Sequence, residues 1–282
     1  MRLLKKIVCP ACLCLAGHLF TAHANADQFV QFESAAVKPT QFQERNARAR
    51  GEAVNAVPGT PLQGYLTRPQ GEGPFPAIVI LHGCAGIHPS VKETWPERLA
   101  SWGYVVLVVD SFSTRGIQNT CNNLLVDRVY DAYGALEFLS NYSFVDPKRI
   151  AVMGFSAGGI ATLEAVQFGG AERLMEHKFK AAVAYYPICK AANGDMAVPT
   201  LVLVGDLDDW SPAEQCRTMM KQRSGAGSPV QLNVYKGAHH AFDAPEFKTG
   251  FEAYGHWIEY NGIAADQSVS DVHAFLRGVF GN

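Results

Sequence analysis

The chain has 282 residues, 48% of them hydrophobic, and a formal net charge of -2. That is long enough to bury a substantial core, and the near-neutral charge gives no basic surplus for nucleic acid or an anionic membrane surface. The one small basic stretch, Arg45, Arg48 and Arg50, reads as a solvated face.

Met1 to Lys6 is basic, Ile7 to Phe20 is mostly apolar, and Ala24-Asn25-Ala26 supplies small residues suited to signal peptidase. Residues 1–26 are therefore expected to be a cleaved export signal, leaving a periplasmic or secreted chain from Asp27 as a single domain, 27–282. The apolar run is too short for a membrane anchor, and no later segment is long and apolar enough to be one. Cleavage removes Cys9, Cys12 and Cys14 and leaves Cys84, Cys121, Cys189 and Cys216. Four cysteines in an oxidising compartment permit two disulfides in three connectivities.

From Asp27 to Phe75, alternation around Phe29–Phe32 and Leu62–Leu66 predicts an antiparallel strand pair at a sheet edge. After Pro76 the pattern changes. Apolar runs at Ala77–Leu81, Tyr104–Val109, Ile150–Met153, Ala181–Tyr185, Thr200–Val204 and Val230–Tyr235 read as strands buried on both faces of a parallel sheet. Helices are expected at Val91–Trp102, Asn123–Leu139, Ala157–Phe168, Ala213–Lys221 and Asp266–Arg277. The alternation predicts a three-layer α/β fold, mostly parallel, with helices on both faces.

In such sheets function gathers at the carboxyl ends of the strands. Gly154-Phe155-Ser156-Ala157-Gly158, between a strand and a helix, has the form of a nucleophile elbow and nominates Ser156. Past the first run, the His82-Gly83-Cys84-Ala85-Gly86 turn can aim the Cys84 amide at Ser156, and Ala157 offers a second amide. Two such donors make an oxyanion hole. His82 itself is expected to be bonded within its loop. Past the Thr200–Val204 run come Asp206, Asp208 and Asp209, one of which should hold a histidine. The cluster lacks the spacing of a calcium loop or paired histidines, so no metal or other cofactor is expected. Past the last run come His239 and His240, one of them the general base. The order Ser, Asp, His is that of an α/β-hydrolase.

With the His-Gly-Cys-Ala-Gly loop, Ser101 to Asp110, Gly-Phe-Ser-Ala-Gly-Gly, Gly-Asp-Leu-Asp-Asp-Trp-Ser-Pro and Tyr-Lys-Gly-Ala-His-His-Ala-Phe-Asp, the chain from about Gly64 to the final helix resembles the dienelactone hydrolase family. The resemblance implies an α/β-hydrolase fold and a small ester or lactone substrate. Its Asp four residues before a Pro selects Asp208, and its His-x-Phe selects His240. Where the named dienelactone hydrolases have a cysteine nucleophile this chain has Ser156, and Gly83 replaces an acid of the first loop. The arginine that follows the family's histidine is missing, and Arg115 is the residue expected to meet an acidic substrate in its place. These departures weigh against dienelactone itself.

In the expected fold Cys84 and Cys121 follow adjacent strands, and Cys189 and Cys216 flank the acid loop, so those two pairs are expected. Trp210 beside the acid loop is a candidate for the acyl site, with core packing as the equal alternative. The aromatic insertion Pro245–Ala264 is expected to pack the final helix, with a roof over the pocket as the alternative. Rival readings are acyl transfer or peptide cleavage by the same triad, and an exported binding protein on the same fold. Oligomeric state is not legible.

Overall fold

The computed structural model describes residues 25–122, 126–190 and 192–281. The expected export signal therefore lies almost wholly outside the described residues. All six apolar runs are strands: β3 (Phe75–Leu81), β4 (Val105–Asp110), β5 (Val145–Phe155), β6 (Ala181–Tyr185), β7 (Thr200–Gly205) and β8 (Val230–Tyr235). They are parallel in the order β4-β3-β5-β6-β7-β8. The edge pair is β1 (Asn25–Glu33) and β2 (Pro61–Arg68), with β2 antiparallel to both β1 and β4.

Alternate residues along the central strands feed two cores, as side chains of a pleated strand must. Val79, Leu81, Leu107 and Val152 pack under α3 (Val129–Ser140), α4 (Ala157–Val166) and α5 (Ala213–Gln222). Ile78, Ile80, Val106 and Val108 pack under α2 (Trp95–Ser101) and α6 (Gly262–Phe280). Burial on both faces is why these strands lack polar alternation.

Three elements depart from expectation. Of the helix drawn over Asn123–Leu139, residues 123–125 lie outside the described residues, 126–128 are not helical, and α3 starts at Val129. Val91–Trp102 is split into a π-helical turn, Ser90–Thr94, and α2, with Pro96 in its first turn, where a missing N–H costs nothing. The irregular N-terminal region carries a helix, α1 (Gln41–Ala49), closed by a Thr40–Gln43 capping box; Arg45 and Arg48 lie exposed on it.

The register decides where the loops emerge. Leu81 pairs with Gly154, Phe155 with Tyr185, Tyr185 with Leu203, and Gly205 with Tyr235. The segments after β3, β5, β6, β7 and β8 thus leave the sheet side by side at its carboxyl edge.

Candidate active site

Ser156 sits between β5 and α4 with φ 52° and ψ -116°, a left-handed conformation costly for a residue with a Cβ. The flanking glycines make the turn possible. A Cβ at Gly154 would collide with the Gly158 carbonyl, and one at Gly158 with the Leu81 and His82 carbonyls. Both positions require glycine because backbone passes where a side chain would stand. The Ser156 N–H donates to Tyr185 O at 3.0 Å, fixing the turn to β6.

His240 Nε2 lies 2.9 Å from Ser156 Oγ, and His240 Nδ1 2.9 Å from Asp208 Oδ2. Both His240 and Asp208 are buried. Asp208 is fixed by its own loop, its Oδ1 accepting from the Trp210 and Ser211 amides at 3.0 and 2.7 Å. With its second oxygen committed, Asp208 offers Oδ2 to Nδ1–H, leaving Nε2 as the acceptor facing Ser156.

The neighbouring acids do different work. Asp206 Oδ1 accepts from Gly237 N at 2.6 Å, tying the acid loop to the histidine loop. Asp209 accepts from Trp257 N and lies 3.6 Å from His256 Nδ1. The three carboxylates point to three different partners, and among the described residues no cluster of three or more His, Cys, Asp or Glu could hold a metal. His239 is turned toward Trp257, ring centroids 6.4 Å apart, rather than toward Ser156.

The Cys84 loop lies over the elbow, since a Cβ on Gly83 would contact Ser156 Cβ at 3.7 Å. Three ties hold it: the disulfide Cys84–Cys121, Thr120 N donating to Cys84 O at 2.7 Å, and Arg128 Nη1 donating to His82 O at 2.6 Å. Ala157 opens α4, so its N–H is among those with no partner one turn back. His82 is buried within its loop, Nδ1 2.7 Å from Gly83 O and Nε2 accepting from Ser111 N. Burial, aided by the Arg128 charge, pushes it down to about 3.

Arg115 is not in the site. Both its terminal nitrogens donate to Asp131 at 2.7 Å, and further bonds reach Ser111 O and Thr60 Oγ1. The fully buried Asp131 carboxylate captures the guanidinium and holds it away from Ser156. The arginine near Ser156 is Arg128, buried just ahead of α3, bonded also to Thr120 Oγ1, and pushed down to about 10 by burial. Nothing in the sequence distinguished it, because it lay inside an expected helix.

Tyr186 was also missed, although it stands one residue past an apolar run, where functional side chains were sought. It has φ 37°, packs its ring 4.6 Å from His240, and donates its hydroxyl to Asp243 at 2.8 Å. Trp95 Nε1 donates to the other oxygen of that buried carboxylate, whose pKa burial raises. Trp210 also meets the His240 ring, centroids 5.0 Å apart and tilted by 36°.

The aromatic insertion forms a hairpin, β9 (Phe251–Ala253) and β10 (His256–Ile258), joined to the histidine loop by a bridge between His240 and Ile258. Phe247, Phe251 and Tyr254 border a cleft of about 200 Å³ that opens at Ser156 and His240. The insertion thus roofs the pocket with Phe247, Phe251 and Tyr254, while Ile258 and the partly buried Phe247 and Ala253 belong to the same core cluster as Ala264, Val272 and Leu276 of α6. The second disulfide, Cys189–Cys216, joins the segment after β6 to α5.

A protein named as a carboxymethylenebutenolidase from Yersinia pestis is 28% identical over 255 residues, covering 76% of this chain and 90% of that protein. A dienelactone hydrolase-like promiscuous phosphotriesterase from metagenomic libraries shares the fold with TM-score 0.65 and 19% identity, covering 90% of this chain and 99% of its own. A Pyrococcus furiosus esterase does so with TM-score 0.60 and 16% identity, covering 90% and 92%. The family model for dienelactone hydrolases matches residues 62–280, from β2 through all the loops around Ser156 and on to the last turn of α6, and by that match this chain belongs to the dienelactone hydrolase family of α/β-hydrolases.

Proposed function

We propose that the chain hydrolyses a carboxylic ester or lactone of a small organic substrate through an acyl-enzyme on Ser156. The observation that carries this is the continuous hydrogen-bonded series Ser156–His240–Asp208 on a backbone turn strained at Ser156. In this reading His240 Nε2 takes the Ser156 proton as Oγ attacks the carbonyl carbon. The amides of Cys84 and Ala157 receive the developing oxyanion. Asp208 holds the Nδ1 tautomer and steadies the imidazolium until the proton passes to the leaving oxygen. Water, deprotonated by His240, then releases the acid.

The test is a pre-steady-state burst with a nitrophenyl ester. A burst equal to the enzyme concentration, abolished in Ser156→Ala, is expected; unchanged turnover in that variant would overturn the assignment. Products compared with and without an added alcohol acceptor separate hydrolysis from acyl transfer. Failure of a fluorophosphonate to label Ser156 in folded protein would instead favour a binding role.

Residues 1–26 are read as a cleaved signal and 27–282 as one exported domain, a reading supported by two disulfides, which persist in oxidising compartments. No helix among the described residues is long and apolar enough to cross a membrane. N-terminal sequencing of the exported protein tests the cleavage: a terminus near Asp27 is expected.

A further inference from the structure

Ser156 opens onto two depressions, and His240 borders only one of them. That one is the cleft roofed by Phe247, Phe251 and Tyr254. The other, a groove of about 260 Å³ on the far side of Cys84–Cys121, is bordered by Ala157, Ile188 and Arg128.

The geometry points to a division of the ester between them: the roofed aromatic cleft takes the alcohol half, the Ile188 groove takes the acyl half, and bulky apolar or aromatic alcohols are selected. This rests on the reading of Ser156 as nucleophile. As Oγ bonds to the carbonyl carbon its proton moves to His240 Nε2, and the carbonyl π pair becomes the oxyanion facing the Cys84 and Ala157 amides. Collapse returns that pair, breaks the carbon–alkoxy bond, and passes the proton from Nε2 to the departing oxygen. The departing oxygen must therefore lie against Nε2, on the side His240 borders. The acyl substituent is left with the side where Ala157 stands.

The cleft suits an apolar alcohol. Phe247 meets Phe251 at 5.4 Å and Tyr254 lies 5.7 Å from Trp210, and although Trp210 borders both depressions, Phe247, Phe251 and Tyr254 border the cleft and not the groove, so rings line the path away from the departing oxygen. The groove is more polar, with the buried Arg128 guanidinium and Glu164 on its wall. Two depressions diverging from one serine fit an open-chain ester, whose halves part, better than a small lactone, whose halves are tied.

Benzyl acetate and methyl phenylacetate test this, being isomers that carry one phenyl ring on the alcohol or the acyl half, with leaving oxygens of similar basicity. After correction by their hydroxide-catalysed rates, kcat/KM is expected to favour benzyl acetate by about tenfold or more. Phe251→Ala and Tyr254→Ala should each shrink that ratio severalfold, and Ile188→Phe should enlarge it. Phe251 and Tyr254 are 41% and 48% exposed, so truncating them does not empty the core. Fluorophosphonate labelling is run in parallel. Absence of labelling in the wild type overturns the serine reading; labelling with equal or reversed preference, or with ratios indifferent to Phe251→Ala, overturns the division alone.

Discussion

Arg115 illustrates how one buried carboxylate reassigns a residue. Its loop position after β4 suggested a substrate contact, yet the Asp131 side chain has no exposure and accepts both guanidinium nitrogens. The same bonds, with the nearby carboxylate charges, raise the arginine's pKa. Removing one partner of such a pair leaves the other charge buried and unsatisfied. Arg115→Ala should therefore lose about 3–5 kcal/mol in urea unfolding, while the ratio of rates on acidic and neutral esters stays at its wild-type value. A selective loss on acidic esters would return Arg115 to the site. The sequence could not reveal this, because Asp131 and Arg115 lie on separate elements and their meeting depends on how α3 docks.

At the level of elements, what was legible is what local periodicity encodes. β3 to β8 announce themselves as Val and Ile runs because both faces are buried, and the elbow announces itself because Gly154 and Gly158 sit where no side chain fits. Asp208 and His240 were separable from Asp206, Asp209 and His239 only through the family resemblance; the physical distinction, which partner each side chain reaches, is tertiary. The β9–β10 roof was hidden for a local reason. Its turn residues Tyr254 and Gly255 both have positive φ, 55° and 80°, as in a type I′ turn. Tyrosine rarely takes the place that Asn or Asp usually fills there, so the hairpin signal was absent. The disulfides join elements in the same tertiary way. Cys189–Cys216 anchors α5, directly after the Asp208 loop, to the segment following β6, across 27 residues of sequence, and both cysteines are buried. The double variant Cys189→Ala/Cys216→Ala should lose about 2–4 kcal/mol of stability, read as a lower Tm, with Cys84–Cys121 still present on non-reducing peptide mapping. An unchanged Tm would mean that packing alone holds α5.

For the molecule as a whole, the buried titratable groups set how stability responds to acid. His82, with Nδ1 against a carbonyl and Nε2 accepting an amide proton, is held neutral, at about 3 against an ordinary 6.5. A histidine lowered in the folded state is protonated first in the unfolded chain. Its contribution is complete above about pH 6.5 and declines steadily from there to about pH 3. Asp243 acts in the opposite sense, because burial raises its carboxyl and the folded state then binds the proton more readily. Its contribution is present below the ordinary 3.8 and is lost as pH rises through its raised value, so acidification there offsets part of the His82 loss. Asp110 joins His82 at the acid end: burial works to raise it, but the Ser113, Gln63 and Phe112 hydrogen bonds prevail and hold it low, so that stability is lost as pH falls below 3.8. Urea unfolding at pH 7, 6, 5 and 4 should show stability falling with acid in the wild type. His82→Asn, which keeps a donor for Gly83 O but cannot titrate, should flatten the curve, and Asp243→Asn should steepen it. Parallel curves for the wild type and His82→Asn would show that the loop over Ser156 does not govern acid sensitivity. A flattened curve would identify His82, in the loop carrying the Cys84 amide, as a main source of the molecule's acid sensitivity.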